Sequence, residues 1–478
     1  MEKIEGIFYG NGRYTIMSIK CQANFISTSA AAAASAASAA AQAQAQEQEV
    51  WIRLVGESTE ARTPIHLIAV IDVSGSMDEE RRLENVKHTL RTVLDFMTPA
   101  DMLSLATFSV GAKTILKQQP ATAEGIAHAR AKIDALHTEG NTNLSAGILA
   151  GLQCLDDAPS TSSPGARKQV MLLLTDGEAN AGLTEPSQLT TIVKQGIQAN
   201  PMLTITAIGY GASHNSALLV GIQQVGNGFY SVVNNLEDVA ATFGEVFGSM
   251  TTTVAQNVKV RGPNGSSVVG GYTMDGSSVV LGDIGAGAEV AFIMKVPDGT
   301  SVLSVSFYDC LAMAYGALRV EVGVEQAEHA EPVRLYRLRQ DVSAFLKDVA
   351  AQTKEKAGEL VARCLSDDGL EGMLKRDLQA VIHRLSHRRG VTAMESAEMA
   401  QNAMYYRSAR GVHTQTQYAP GDLLPPPLIN IFSSPLAAHV SGCVSRNITS
   451  SISGVDEDPI HNLSVFSQIL NQQMEDVD

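Results

Sequence analysis

At 478 residues with 45% hydrophobic side chains, the chain has enough apolar material for about three domains with real cores. Its formal net charge of -15 repels a phosphate backbone, and 5% aromatic residues with no interleaved basic run leave nothing to stack on bases, so nucleic acid is not an expected partner. Cys21, Cys154, Cys310, Cys364 and Cys443 are odd in number, far apart and without a C-x-x-C pair, which fits neither a disulfide framework nor a zinc ribbon and points to a reducing compartment.

The opening residues MEKIEGIFYGNGRY alternate charged and apolar positions instead of forming the apolar core of a secretory signal. No apolar stretch approaches the length of a membrane span. A soluble, cytoplasmic protein is therefore expected. Within residues 1–63, Tyr14 to Asn24 and Gln48 to Val55 alternate as strands do, on either side of an alanine, serine and glutamine tract from Ser27 to Gln46. That tract reads most simply as a flexible loop, although its alanines would also permit a helix.

Over residues 64–252 the period of hydrophobicity switches regularly between strand and helix. Ile65 to Ile71 is a continuous apolar strand. Leu83, Val86, Leu90, Val93 and Met97 then mark one helical face, with Pro99 where the helix should stop. Asp101 to Phe108 reads as a strand, and Ile126 to Leu136 and Leu144 to Leu155 as helices. Val170 to Leu174 is a buried strand. Leu203 to Ile208 and Phe229 to Val233 are strands alternating with helices at Leu189 to Ile197, Leu218 to Val225 and Val239 to Met250. Such alternation specifies an α/β fold built on a doubly wound, mainly parallel sheet.

From Thr253 to about residue 330 the pattern becomes short alternating runs separated by glycine-rich turns, a small β domain. Each of its strands can bury only one face, so the two N-terminal strands are expected to complete the same β-sandwich, with the α/β domain inserted in it or flanked by it. In 331–411 the 3.6-residue period returns, with three helices expected and a capping box formed by Thr392 and Glu395. The tail 412–478, with Pro425, Pro426 and Pro427, reads as largely extended, and the spacing over Leu463 to Met474 allows a short helix.

The strand Ile65 to Ile71 runs into Asp72-Val73-Ser74-Gly75-Ser76, a D-x-S-x-S spacing at the end of a parallel strand. The loop Gly140-Asn141-Thr142-Asn143 precedes a helix, and the strand Val170 to Leu174 delivers Thr175-Asp176-Gly177-Glu178 at its own end. In a doubly wound sheet, loops at the carboxyl ends of strands meet in the crevice where ligands bind. The D-x-S-x-S fragment alone is equally compatible with a turn and a helix cap, since Asp and Ser favour both. Thr142 and Asp176, each placed by an independent part of the pattern, argue for a site.

Together these residues resemble the metal-ion-dependent adhesion site of von Willebrand factor type A (VWA) domains, a Rossmann-like fold, over Pro64 to about Met250. The resemblance implies that Ser74, Ser76 and Thr142 supply hydroxyl ligands to Mg²⁺ or Mn²⁺, while Asp72 and Asp176 act through metal-bound waters. A hard cation takes six oxygens, and neutral hydroxyl ligands leave it electrophilic toward a partner's carboxylate. The implied partner is a protein with an exposed Asp or Glu. The helical segment loosely resembles the Vwaint region of intracellular eukaryotic VWA proteins.

Other constellations are weaker. His383 and His387 are four apart on a predicted helix but lack a third ligand. Asp367-Asp368-Gly369 lacks the oxygen series of a calcium loop. Glu178 reads as an exposed loop charge, and Cys310 and Cys364 as small buried hydrophobes. There is no phosphate loop, no H-E-x-x-H and no G-x-S-x-G elbow. The expectation is therefore a cation-dependent binding module or scaffold rather than an enzyme. The alternative is an accessory subunit of an AAA-ATPase or ubiquitin-pathway complex whose catalysis resides in another chain.

Overall fold

The computed structural model describes residues 5–8, 18–26, 47–59, 62–155, 167–176, 179–200, 202–210, 216–233, 246–312, 314–324, 329–347, 359–360 and 362–363. The readings of the Ser27 to Gln46 tract, of Glu178, Asp367 to Gly369, Cys364, His383, His387 and the Thr392 capping box, and of the tail, lie outside these residues.

The α/β domain is built on a six-stranded sheet, ordered β6-β5-β4-β7-β8-β9. Its strands are β4 (Ile65–Asp72), β5 (Met102–Phe108), β6 (Ala112–Pro120), β7 (Lys168–Thr175), β8 (Leu203–Tyr210) and β9 (Asn227–Val233). All pairings are parallel except β5 with β6. The central strands β4, β7 and β8 are buried at every position, because helices cover both faces and leave no room for alternation.

The helices are α1 (Arg82–Asp95), α2 (Ala123–Asp134), α3 (Leu144–Gln153), α4 (Pro186–Ala199) and α5 (Ser216–Gly226). On one side of the sheet Leu83, Val86, Leu90 and Val93 of α1 pack with Leu67, Ile71 and Leu172, and on the other Leu144, Ile148 and Leu189 pack with Ile68, Val70 and Leu173. Thr122 and Asn143 cap α2 and α3 by accepting from backbone amides, and Pro186 opens α4. Where α3 meets the sheet, a Cβ on Gly147 would stand 2.5 Å from Phe108 Cδ1. Gly147→Ala should therefore overpack this layer and destabilise the domain by about 1–3 kcal/mol, a fall of several degrees in thermal midpoint; an unchanged midpoint would show that the ring can yield.

The sequence reading differs from the structure at β5 and β6. The expected strand begins one residue later, at Met102, because Asp101 is spent as an anchor. It is fully buried, accepts from Ile65 N at 2.9 Å and Thr98 N at 2.7 Å, and pairs with Arg62 at 2.7 Å. The edge strand β6 was not anticipated: with one neighbour and one face to cover it buries little beyond Leu116, so its sequence AKTILKQQP carries no clean alternation.

The second unit is a ten-stranded sheet, with path β11-β14-β3-β2-β16-β15-β10-β13-β12 and β1 added on β16. Its strands are β1 (Glu5–Phe8), β2 (Ile19–Ile26), β3 (Glu47–Gly56), β10 (Thr253–Arg261), β11 (Ser267–Val269), β12 (Thr273–Asp275), β13 (Ser278–Gly285), β14 (Glu289–Pro297), β15 (Val302–Asp309) and β16 (Ala314–Gly323). The amino-terminal β2 and β3 pair with each other, and β3 pairs with β14 from Glu47 against Pro297 to Val55 against Glu289. Ile52 and Leu54 thereby share a core with Val258, Val279, Phe292 and Val305. Helix α6 (Ala330–Lys347) lays Val333 and Tyr336 on that core, with Tyr336 edge-on to Trp51 at 5.7 Å between ring centroids.

The α/β domain leaves the β unit after β3 and returns at β10. The two passages are bound together: Thr63 N donates to Thr251 O at 2.9 Å, Thr63 Oγ1 to Thr253 O at 2.5 Å, and Ala286 N to Thr252 O at 2.8 Å. Beside this neck the buried ammonium of Lys168, at the start of β7, contacts Asp283 of β13 at 2.8 Å and Thr253 Oγ1 at 2.6 Å. Asp283 also accepts from Thr204 Oγ1 of β8 at 2.7 Å. The seam between the units is therefore polar as well as covalent.

Candidate cation site at the strand ends

The D-x-S-x-S segment begins on the last residue of β4 and continues into a 3-10 helix, Gly75–Arg81. Ser74 stands at the N-cap of that helix, yet its hydroxyl makes no capping bond. It faces Ser76 Oγ at 3.1 Å instead, and Ser76 Oγ donates to Asp176 Oδ1 at 2.9 Å. The turn reading is half right, because Asp72 Oδ1 accepts from Ser74 N at 2.8 Å. The second carboxylate oxygen of Asp72 accepts from Thr175 Oγ1 at 2.6 Å, at the end of the neighbouring strand β7.

Three loops are knitted around this cluster by their backbones. Gly75 N donates to Gly140 O at 3.0 Å and Glu139 N to Val73 O at 2.6 Å, joining the first loop to the second. Gly140 sits in the left-handed region at φ 67, where a side chain would be strained. The second loop is joined to the third by Thr142: its N donates to Asn180 Oδ1 at 2.9 Å, and its carbonyl accepts from Asn180 N and Ala181 N at 3.1 and 3.2 Å. Asn143 holds the start of α3, accepting from Ala146 N at 3.1 Å and donating to Val110 O at 2.9 Å. Asp72, Ser74, Thr142 and Asp176 are all buried, and Ser76 Oγ joins them from a more exposed position.

The predicted residues Asp72, Ser74, Ser76 and Asp176 are thus in one hydrogen-bonded cluster, and Thr142 lies on the loop bound to it on both sides. Three participants were not anticipated. Thr175 holds Asp72, Asn180 holds Thr142, and Arg82, the first residue of α1, donates from Nη1 to Asp176 Oδ2 at 2.8 Å. Thr175 lay within the quoted loop without a role, and Asn180 and Arg82 carry no local signal, since both act across loops distant in sequence.

Burial is the main force on Asp72, pushing its carboxyl up to about 6; the bonds from Thr175 and Ser74 oppose this, and the Asp176 charge adds to it. Two buried carboxylates and one buried guanidinium leave the cluster net negative. Its donors are oxygens throughout, hydroxyl and carboxylate, the set a hard divalent cation prefers over a soft one. A cation would also relieve the burial of Asp72 by compensating its charge. The residues present therefore fit such an ion. By contrast the thiols of Cys21, Cys154 and Cys310 are all pushed up by burial, which makes them poor nucleophiles.

Residues 66–245 match the family model of the von Willebrand factor type A domain. The Escherichia coli K12 protein YfbK is 28% identical over 245 residues, which cover 48% of this chain and 41% of that one. The human inter-alpha-trypsin inhibitor heavy chain H3 is 30% identical over 168 residues, 35% of this chain and 18% of that one. The chain thus spans less than half the length of these curated relatives. Among solved structures, a von Willebrand factor type A protein from Catenulispora acidiphila superposes with a TM-score of 0.58 at 16% identity, covering 83% of this chain and 98% of that one. The ArnB paralog VWA2 from Sulfolobus acidocaldarius does so with a TM-score of 0.53 at 13% identity, covering 82% and 98%. Both cover far more than the α/β domain, so the likeness of fold extends into the β unit.

Proposed function

From the premise that residues 66–245 form a von Willebrand factor type A domain, we propose that the chain is a protein-binding module whose affinity depends on Mg²⁺ or Mn²⁺ held by Ser74, Ser76 and Thr142. Asp72 and Asp176 hold the ion's hydration shell and offset its charge. The single observation that carries this reading is the cluster at the ends of β4 and β7, in which Ser74 Oγ faces Ser76 Oγ instead of capping the 3-10 helix, and Ser76 Oγ donates to Asp176.

Bound there, the cation supplies a Lewis-acidic position that an Asp or Glu carboxylate of a partner can fill. The chain's own residues do the rest. Thr175 and the Ser74 amide fix Asp72 by both oxygens, and Asn180 fixes the backbone of Thr142, so the donors are set before the ion arrives. We further propose that the protein has no catalysis of its own, since its sequence carries no catalytic signature, and that it works in the cytoplasm, since its cysteines are few and far apart. Among the described residues no helix is long and apolar enough to cross a membrane.

The test titrates Mg²⁺ and Mn²⁺ into the full chain by calorimetry, then compares capture of binding proteins with and without a chelator. Asp176→Ala should weaken cation binding by about 100-fold or more, and Thr142→Ala, which removes one neutral ligand, by about 10-fold. Capture should fall in the same order and be lost on chelation. Heat of binding and capture that ignore chelation and both substitutions would overturn the reading, even with the fold intact.

A further inference from the structure

We infer that Arg82 is a built-in competitor of the cation: its guanidinium occupies Asp176 in the metal-free protein and sets the metal affinity of the site well below what the oxygen donors alone would give. This rests on the reading of the cluster as a cation site and deepens it. The chain passes from the 3-10 helix through Arg81, in the left-handed region at φ 58, and starts α1 with Arg82. A non-glycine residue held there marks a turn that the surrounding structure enforces. Its consequence is that Arg82, buried to 8% exposure, points back into the cluster, where Nη1 lies 2.8 Å from Asp176 Oδ2 and 3.4 Å from Ser76 O. Asp176 is 1% exposed. A positive charge so close, and so poorly screened by solvent, opposes a divalent ion at the same carboxylate.

The arrangement also provides a place for the displaced charge. Nη2 of Arg82 lies 3.5 Å from Glu79 Oε2, an exposed carboxylate one turn earlier, so the guanidinium can give up Asp176 without losing every acidic partner. Apo and loaded states then differ in which carboxylate Arg82 serves. Occupancy becomes sensitive to ambient cation concentration, because a weak site fills over a range where a tight one is always full.

The experiment measures Mg²⁺ and Mn²⁺ binding to the full chain by calorimetry, with no partner present, for the native protein, Arg82→Gln, Arg82→Lys and Asp72→Ala. Arg82→Gln should bind Mg²⁺ at least about 10-fold more tightly than native, and Arg82→Lys, which keeps the charge, within about 3-fold of native. Without metal, Arg82→Gln should melt lower than native, because Asp176 loses its counter-charge, and its midpoint should rise further on adding Mg²⁺. A residue that merely holds the loop would give weaker binding in Arg82→Gln, and that result, or equal binding in the two, overturns the inference alone. If neither native nor Arg82→Gln binds either metal, the cation-site reading falls as well; Asp72→Ala binding like native would also place the ion elsewhere.

Discussion

Asp72→Asn is expected to abolish cation binding and at the same time raise the melting temperature of the metal-free protein. The side chain is the same size and can keep both of its bonds: Oδ1 accepts from the Ser74 amide, and Nδ2 donates to the Thr175 hydroxyl, which can accept as well as donate. What changes is charge. In the native chain burial raises the Asp72 carboxyl from 3.8 to about 6, so the folded protein binds its proton more tightly than the unfolded chain does. The proton-linked stability is therefore fully present below pH 3.8 and is lost as pH rises through about 6. At neutral pH that loss is on the order of 3 kcal/mol, and Asn escapes it. The midpoint of Asp72→Asn should exceed native by roughly 5–10 °C at pH 7, with the gain shrinking toward zero near pH 4. Adding Mg²⁺ should reverse the ranking, since only the native chain gains from it. Scanning calorimetry at several pH values, with and without Mg²⁺, reads both effects; a variant that melts below native at pH 7, or that still gains from Mg²⁺, would contradict this account.

The second large effect lies at the other end of the same sheet. Asp283→Ala removes the counter-charge of Lys168, whose side chain is 4% exposed, and deprives Thr204 Oγ1 and Asn257 N of an acceptor. Stranding a buried ammonium in this way costs about 3–5 kcal/mol. The doubly apolar Lys168→Met with Asp283→Leu should recover the part due to the stranded charge, while Thr204 Oγ1 and Asn257 N still lack that acceptor. Cation affinity should stay native in both variants. Lys168 opens β7 and Thr175 closes it, so the seam and the site are separated by roughly 20–25 Å of strand. A single variant that melts like native would mean that the ammonium reaches water, and one that lost metal binding would mean the two ends are coupled.

What could be read from the residues, and what could not, divides along a physical line. The parallel sheet was legible because its central strands are buried on both faces, and a run such as VMLLL in β7 has few other uses. The cluster was legible because Asp72, Ser74 and Ser76 are close in sequence and Asp176 stands just past such a run, after Thr175. Pairing β2 and β3 with strands more than two hundred residues away could be argued only from their need for a second face. Arg82, Asn180, Lys168 and Asp283 remained invisible for the opposite reason. Each is an ordinary polar residue whose role is set by contacts across the fold, and a lone Arg at a helix start or a lone Lys at a strand start reads as solvated. The edge strand β6 failed on periodicity itself, since a strand with little to bury writes no pattern.

The insertion also dictates an order of events during synthesis. When β2 and β3 leave the ribosome their main-chain partner on β3's open side, β14, has not been made, and it will not be until the entire α/β domain has followed. At ordinary elongation rates that is a wait of roughly 10–50 s, long compared with the time in which a domain of this size can fold. The nascent chain must therefore carry an exposed, half-apolar hairpin containing Val50, Ile52 and Leu54 while the inserted domain forms beside it. The neck at Thr63 and Thr251 helps to shorten this exposure: once the α/β domain has folded, it holds its own two ends together, so the chain re-enters the β unit at β10 close to where it left, ready for β13 to β16 to follow. Closing the β unit then resembles the zipping of a short loop, because the inserted domain has already removed the separation along the chain.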